Sequence, residues 1–332
     1  MKFLTFLTLV VGYFVYLTYK PYLLDMAIAA LMAIAFGKVI FFINKKIKNK
    51  YVVSAIITSL FAGLIFGPIF YFLITIGKFV SKAKIEDIET IILKAQNLLS
   101  FLPDTMAQKI KYYLNPDNII QIYNTIVPII ATLTTKSAVF IKDAFLIVIF
   151  FFFAILYGKQ ILEFLKKIIP LPNSQLEKLF FGTSEVMSVV FYSTILTALL
   201  EGVLFGIIVS FYNFNFFLFS IMYAFSSLIP LVGGVIMWGP ISLYLYSIGN
   251  IKGAIVIIIY SILIISIIAD TFVKPVIIEF VKKTFEADTE LNSLLIFFSI
   301  VAGISSFGLW GIIIGPAVTA LFISILRFYE KF

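Results

Sequence analysis

Long apolar stretches, separated by short connections that contain lysine, recur along almost the whole chain. A run of about 20 apolar residues crosses the hydrocarbon core of a bilayer as an α-helix, and spanning segments must satisfy their own backbone hydrogen bonds. Hydrophobic residues make up 62% of the 332 residues, and charged residues 13%. A soluble domain is about 45–50% apolar and about 25% charged. The sequence therefore predicts an all-α polytopic membrane protein.

Missing residue types exclude several kinds of chemistry. The chain contains no His and no Cys, so a Ser-His-Asp triad, a thiol nucleophile and a His/Cys zinc site are excluded. None of its Gly-Lys pairs is followed by Ser or Thr, as a nucleotide-binding P-loop requires. We therefore expect no catalytic residue, no metal site and no cofactor. The net charge of +8 comes mostly from lysines at the ends of apolar runs. Because lysines there orient membrane helices, we expect a membrane-lipid environment and no nucleic-acid partner.

About six apolar runs are predicted to be full transmembrane helices. The lysine-rich segment 44–50 follows the second run, and the positive-inside rule places it in the cytoplasm. The resulting topology is multi-pass, with both termini cytoplasmic. The six runs are residues 3–18, 23–43, 52–76, 139–157, 182–212 and 251–269.

Composition divides the chain into four segments. Residues 1–77 hold the first three spans and are expected to form a scaffold. Residues 78–136 are more polar but keep apolar residues at helical spacing, which predicts amphipathic helices on the extracytoplasmic side. Residues 137–181 hold the fourth span and a basic cytoplasmic linker, and residues 182–332 are expected to form the transport unit.

Two further apolar segments, residues 216–248 and 291–327, are each interrupted near the middle by Gly, Pro or Ser. Each half of the first segment has about 15 residues, too few to cross a hydrocarbon core of about 30 Å. The segments can be kinked spans or re-entrant helical hairpins. The hairpin arrangement places more lysines in the cytoplasm, so the sequence favours it.

The two interrupted segments also align with each other. Gly239-Pro240 matches Gly315-Pro316, and the interruption lies a few residues upstream in both. Opposite orientations would give an inverted repeat in the C-terminal half, as in many secondary transporters. Chance is the alternative, since Gly67-Pro68 is a third such pair outside the repeat.

Glu201 is the clearest candidate for an ion or solute site, because it lies near the middle of the predicted fifth span. Thr194 and Thr197 precede it by seven and four residues and share its helical face. Burying a carboxylate in a membrane is costly, so this stripe is a candidate proton or cation site. A packing contact to a hairpin is the alternative. Asp270 is a further candidate, although a structural pair with Lys274 at i+4 is favoured for it.

The interruptions themselves are the other candidate sites. Helix breaks at membrane depth expose backbone groups that bind an ion or a polar solute, and they are tolerated beside protein or water. Close helix packing through small residues is the alternative. The candidates are Ser226, Ser227, Pro230, Gly233, Gly234, Ser305, Ser306 and Gly308.

Three motifs in the C-terminal third resemble the autoinducer-2 exporter (AI-2E) family. They are Ile229-Pro230-Leu231-Val232-Gly233, Asp270 followed five residues later by Pro275, and Phe307-Gly308-x-x-Gly311-x-x-x-Gly315-Pro316. The likeness extends over the whole chain, and the terminal glycine pattern is its most specific element. The chain departs from the family pattern in two places: Gly234 stands where the family commonly has Pro, and Glu290-Leu291-Asn292 lacks a proline often found there.

The resemblance implies a secondary active transporter of the bacterial cytoplasmic (inner) membrane that forms a homo-oligomer, with a pentamer as one candidate size. It implies export of a small polar, autoinducer-2-like solute, and we expect this export to be coupled to H⁺ or Na⁺ with Glu201 as the coupling acid. Two re-entrant hairpins would suit an elevator-like movement. An Na⁺(Li⁺)/H⁺ antiporter is the alternative, and a passive channel or an envelope scaffold is the alternative of another class. An enzyme is not expected.

Overall fold

The structure is a computed structural model that describes residues 2–80, 119–169, 172–229, 232–285, 287 and 293–329. Within these ranges the chain is helical and contains no β-strand, so the predicted all-α class is confirmed. Among the described residues, five helical stretches are long and apolar enough to cross a membrane, as expected for a polytopic membrane protein. They are Phe3–Ala35, Lys50–Tyr71, Val139–Ile168, Ser174–Ser210 and Ile251–Thr284.

The described α-helices range in length from 10 to 50 residues. In the part of the chain that the structure describes, these helices are interrupted or extended by two short 3₁₀ segments, Lys20–Tyr22 and Gly308–Trp310, and by one π-helical segment, Ser261–Val273. In chain order the α-helices are α1 (Lys2–Tyr19), α2 (Leu23–Ala35), α3 (Gly37–Lys46), α4 (Lys50–Val80), α5 (Ile119–Ile168), α6 (Asn173–Ser210), α7 (Phe216–Ser226), α8 (Gly233–Ser247), α9 (Ile251–Tyr260), α10 (Lys274–Thr284), α11 (Ser293–Phe307) and α12 (Gly311–Tyr329). Most of the predicted amphipathic segment lies outside the described residues.

The first two predicted spans follow each other without a loop. The 3₁₀ turn Lys20–Tyr22 joins α1 directly to α2, because Pro21 stands in the first turn, where its missing N–H costs no helical hydrogen bond. The apolar stretch Phe3–Ala35 has 33 residues. At 1.5 Å per residue it is about 50 Å long, more than one hydrocarbon core of about 30 Å. The predicted number of six full spans stays a prediction.

Contacts divide the chain into two compact units. Unit 1 comprises Met1–Ala62, Phe140–Ser188 and Ala287–Phe332. Unit 2 comprises Gly63–Val139 and Val189–Glu286. Each unit has its own apolar core, and each contains one pair of short helices.

The core of unit 1 is built where α2, α4 and α5 meet. The ring of Phe61 packs against that of Phe151 with 4.6 Å between centroids, and Phe36 packs edge-on against both. The N-terminal part of α6 is tied to the end of α2, because the Ser188 hydroxyl donates to the Ala35 carbonyl at 3.1 Å. Buried hydroxyls that bond to backbone in this way avoid an unpaired polar group.

The core of unit 2 lies between α6, the pair α7–α8, α9 and the π-helical segment. Its buried members include Phe205, Tyr223, Met237, Ile257 and Ile265. The Tyr260 hydroxyl donates to the Leu204 carbonyl at 3.3 Å and ties α9 to α6.

Both interrupted segments form helix–turn–helix pairs, which we call hairpin 1 (α7–α8, in unit 2) and hairpin 2 (α11–α12, in unit 1). In hairpin 2 a Cβ at Gly315 would overlap the Ser299 carbonyl oxygen, and one at Gly311 would overlap the Gly303 carbonyl. Residues 299 and 315 therefore lie side by side on antiparallel helices, which a single kinked helix would not allow. Gly308 starts the turn with φ of +63°, a left-handed conformation that favours glycine.

Candidate functional site

Glu201 lies on α6 in unit 2 and is buried, with 5% of its surface exposed. Thr197, one turn earlier on the same face, is also buried, and its hydroxyl has no hydrogen-bond partner among the described residues. Thr194 lies a further turn away and is half-buried. The predicted polar stripe therefore ends in a buried carboxyl group, next to a hydroxyl that is free to bind.

The structure brings Glu201 together with Ser227 and Asp270, which are distant in sequence. The Asp270 carboxyl and the Ser227 side chain lie near the Glu201 carboxyl and act on it electrostatically. Asp270 also forms an ion pair with Lys274, with 3.0 Å between Nζ and Oδ1, so the expected i,i+4 pair is present. The half-exposed pair Asp270–Lys274 adjoins the buried acid Glu201. The partly exposed carboxyl group of Asp270 therefore lies next to the buried carboxyl group of Glu201.

Asp270 is carried by the π-helical segment Ser261–Val273, which is 13 residues long. The π-helix is rare in proteins, usually only one turn long, and often found at functional sites. A π-helix needs more residues per turn than an α-helix, so it changes the direction in which Asp270 leaves the helix axis. This local conformation could not be predicted from apolar periodicity.

Ser226, Ser227 and Gly233 surround the turn of hairpin 1, whereas Pro230 lies outside the described residues. The amide groups of Ser227, Leu228, Ile229 and Gly233 donate to carbonyl groups of the same hairpin, at 2.8–3.3 Å. The Ser226 hydroxyl donates to the Tyr223 carbonyl, and the Ser227 hydroxyl to the Ala224 carbonyl. The turn therefore offers fewer free backbone donors than its sequence suggests, and its contribution to the site comes from side chains.

Ser305, Ser306 and Gly308 belong to hairpin 2 in unit 1 and are exposed. The neighbouring Trp310 is buried, and its ring stacks on Phe140 of α5, with 5.0 Å between centroids. These residues lie at the end of a tightly packed helix pair.

Two residues near ionisable groups are not identified from the sequence. Tyr223 of α7 is 2% exposed and lies within electrostatic range of both Glu201 and Asp270. In unit 1, Asp25 of α2 is 3% exposed and lies within electrostatic range of Asp143 and Lys142 of α5, which form an ion pair of 2.9 Å. A lone polar group in an apolar run is the only sequence pattern that points to either residue.

The site in unit 2 combines two carboxyl groups with hydroxyl groups. Two nearby carboxylates repel, most strongly where burial excludes water, and a proton or cation bound between them removes the repulsion. Among the described residues, no group of three or more Asp, Glu, His or Cys side chains is placed to hold a metal ion. The arrangement is suited to reversible binding of a proton or a small monovalent cation.

Comparison with known proteins places the chain among transporters. A protein of Helicobacter pylori (strain ATCC 700392 / 26695), provisionally named a transport protein, is 32% identical over 99% of this chain and 96% of its own length. A similarly named protein of Aquifex aeolicus (strain VF5) is 23% identical over 60% of this chain and 54% of its own length. No solved structure matches the chain. The sequence profile of the AI-2E family transporters matches residues 3–331. The chain belongs to the AI-2E transporter family.

Proposed function

We propose that the protein is a secondary active transporter whose coupling site is the pair Glu201–Asp270, and that it exports a small polar solute using H⁺ or Na⁺. The observation that carries the proposal is the meeting of two carboxyl groups in unit 2, one buried and one half-exposed. Family membership supports the transporter class. Glu201, the coupling acid, alternates between a charged and a neutralised form, and this change couples the movement of the solute to the movement of the ion.

A second candidate function is an Na⁺(Li⁺)/H⁺ antiporter, in which the cation itself is the substrate. The donor set favours it, because Glu201, Asp270, Ser227 and Thr197 offer only oxygen atoms. Small hard cations prefer oxygen ligands. The same site would then bind Na⁺ and H⁺ in turn, without a separate solute.

Proteoliposomes that contain the purified protein distinguish these candidates. A pH or Na⁺ gradient is imposed, both ions are monitored, and labelled autoinducer-2 is then added. The exporter predicts ion movement only when the solute is present, and gradient-dependent, saturable uptake of the label. The antiporter predicts exchange of Na⁺ for H⁺ without the label. Conductance without coupling would establish a passive channel, and no flux with any probe would favour an envelope scaffold; either result contradicts the proposal.

We further propose that the two hairpins are re-entrant, that they form an inverted repeat, and that transport uses an elevator-like movement. The chain has no cysteine, so a thiol introduced at Ser227 is unique. An elevator predicts that a membrane-impermeant reagent labels this thiol from opposite sides of the vesicle under opposite gradients. Labelling from the same side under both gradients contradicts the movement.

We place the protein in the cytoplasmic membrane as a homo-oligomer with both termini cytoplasmic. The apolar side chains of α1 are exposed along its length, which supports contact with lipid or with another copy. Light scattering of the detergent-solubilised protein gives the number of copies, and a monomer contradicts the oligomer. Protease access to tags in right-side-out cells gives the orientation, and cleavage of either tag contradicts it.

A further inference from the structure

Tyr223 places a phenol hydroxyl at a point in unit 2 where a phenylalanine would be expected. Its ring is almost fully buried and packs on Phe205, one turn after Glu201, with 4.5 Å between ring centroids. The surrounding side chains of the core cluster are otherwise mostly aliphatic or aromatic. Burying a hydroxyl costs free energy that a phenyl ring does not incur, so the hydroxyl requires an explanation.

Gly234, across hairpin 1 on α8, leaves the space that this hydroxyl occupies. A Cβ at position 234 would lie 2.8 Å from Tyr223 Oη and 3.6 Å from Cζ. The first distance is a clash, whereas the second is an ordinary van der Waals contact. An alanine at position 234 would therefore force the hydroxyl, at the tip of the Tyr223 side chain, to shift, but it leaves room for the ring. Glycine is also a poorer helix former than alanine, so this position too departs from the most stable choice.

A need for a hydroxyl group beside the carboxyl pair explains both the tyrosine at position 223 and the glycine at position 234. Tyr223 lies within electrostatic range of Glu201 and of Asp270. We propose that Tyr223 is a specificity-determining residue of the Glu201–Asp270 site, that its hydroxyl donates a hydrogen bond to an acceptor oxygen of the bound solute, and that Gly234 provides the clearance for it. This inference rests on the proposed transport function, because it assigns a further contact to the same site.

A pure packing role for Tyr223 makes different predictions. If only the ring matters, Tyr223→Phe leaves transport unchanged and stabilises the protein, since a buried hydroxyl is removed. If the hydroxyl contacts the solute, the same change raises KM for labelled autoinducer-2 about three- to tenfold, the effect of one lost hydrogen bond, with kcat nearly unchanged. Tyr260→Phe is the matched control, because its hydroxyl donates to the Leu204 carbonyl, so its loss should change stability without changing KM.

The clearance is tested by combining two changes. Gly234→Ala should raise KM and lower the melting temperature in the natural sequence. In a Tyr223→Phe background the same change should have less than half of either effect, because the clashing oxygen is gone. Gly239→Ala, in the same helix, has nothing within 4 Å of the new Cβ, so it should leave KM unchanged and change the melting temperature equally in both backgrounds. Equal effects of Gly234→Ala in the two backgrounds overturn the clearance.

The outcomes separate this inference from the proposed function. If Glu201→Gln stops transport but Tyr223→Phe leaves KM for labelled autoinducer-2 unchanged, the role of Tyr223 is overturned and the coupling site stands. If the wild type moves only Na⁺ and H⁺, no solute oxygen is present and the inference is also overturned. If Glu201→Gln has no effect on transport, the coupling site and this inference both fail. The melting-temperature cycle tests the geometry of Tyr223 and Gly234 without any flux measurement.

Discussion

In hairpin 2 the two helices touch along much of their length, with Gly303 opposite Gly311 and Ser299 opposite Gly315. In hairpin 1 the closest approach is at the turn, where a Cβ at Gly233 would overlap the Ser226 carbonyl. Away from that point, bulky residues such as Tyr223 and Met237 fill the core of unit 2. Close backbone contact makes hairpin 2 a stiff pair, whereas hairpin 1 leaves room for side chains at its turn.

The small residues that let hairpin 1 pack closely along its length lie on α6, its neighbour in unit 2. Gly202 and Gly206 of α6 allow α7 to approach, because a Cβ at Gly202 would overlap the Ser220 carbonyl. This is the small-residue spacing that membrane helices use for close crossing. Hairpin 2 is therefore packed mainly against itself, whereas hairpin 1 is packed against α6, the helix that carries Glu201.

The aligned Gly-Pro pairs illustrate the same difference. Gly315 presses against the backbone of α11, but a Cβ added at Gly239 would meet nothing within 4 Å. Pro240 and Pro316 both lie inside the second helix of their hairpin. The two Gly-Pro pairs therefore occupy the same position in their hairpins but do not make the same contacts. Whether the two hairpins form an inverted repeat stays a prediction.

The largest effect is expected from Gly311→Ala in hairpin 2. The added methyl group overlaps the Gly303 carbonyl and the Ile304 amide, which are backbone atoms that cannot turn away. We expect a loss of about 3 kcal/mol or more in unfolding free energy, above the usual cost of overpacking. Thermal unfolding in detergent measures it. Gly239→Ala is the control, and a similar melting temperature for both variants would contradict the close packing of hairpin 2.

A smaller loss is expected from Gly202→Ala in unit 2. The methyl group meets the Ser220 carbonyl and the Ala224 Cβ, so α7 must shift away from Glu201. We expect a destabilisation of about 1–3 kcal/mol and, because the turn of hairpin 1 moves with α7, a fall in flux. Flux in proteoliposomes and thermal unfolding measure the two effects. Gly63→Ala, which meets nothing within 4 Å, should retain both properties.

Asn215 caps the first helix of hairpin 1, and its replacement should have a moderate effect. Its Oδ1 accepts from the Leu218 amide at 2.9 Å and from the Tyr71 hydroxyl at 3.3 Å. Asn215→Ala should cost about 1 kcal/mol, the usual value of a helix N-cap. Asn215→Ser keeps a capping oxygen and should recover most of the loss in thermal unfolding. Equal losses in the two variants would show that the cap contributes nothing.

The smallest effect is expected from Ser227→Ala at the turn of hairpin 1. Ser227 approaches Glu201, and the hydroxyls of Ser227 and of the neighbouring Ser226 both donate to carbonyl groups of α7. Losing one hydrogen bond of about 0.5–1 kcal/mol should reduce flux about two- to fivefold. Ser226→Ala is the control and should reduce flux less. A larger effect of Ser226→Ala would place the functional side of the turn elsewhere.

Composition and hydropathy were enough to predict the all-α membrane fold and both interrupted segments, because the bilayer restricts the available structures. The sequence identifies Glu201 as a buried acid, Ser227 as a turn residue and Asp270 as an acid at the end of a helix. Their meeting depends on tertiary packing and on a π-helical segment, which apolar periodicity does not encode. Tyr223 and Asp25 escape sequence reasoning because each is a single polar group in an apolar run.

The most direct test of the central claim is flux through Glu201→Gln beside Glu279→Gln. Both changes remove one carboxylate from unit 2, but Glu201 is buried in the site and Glu279 is exposed on α10. We expect the Glu201→Gln protein to fold, to reconstitute and to lose gradient-coupled flux, and the Glu279→Gln protein to keep this flux. Normal coupled flux in Glu201→Gln would contradict the assignment of the coupling site.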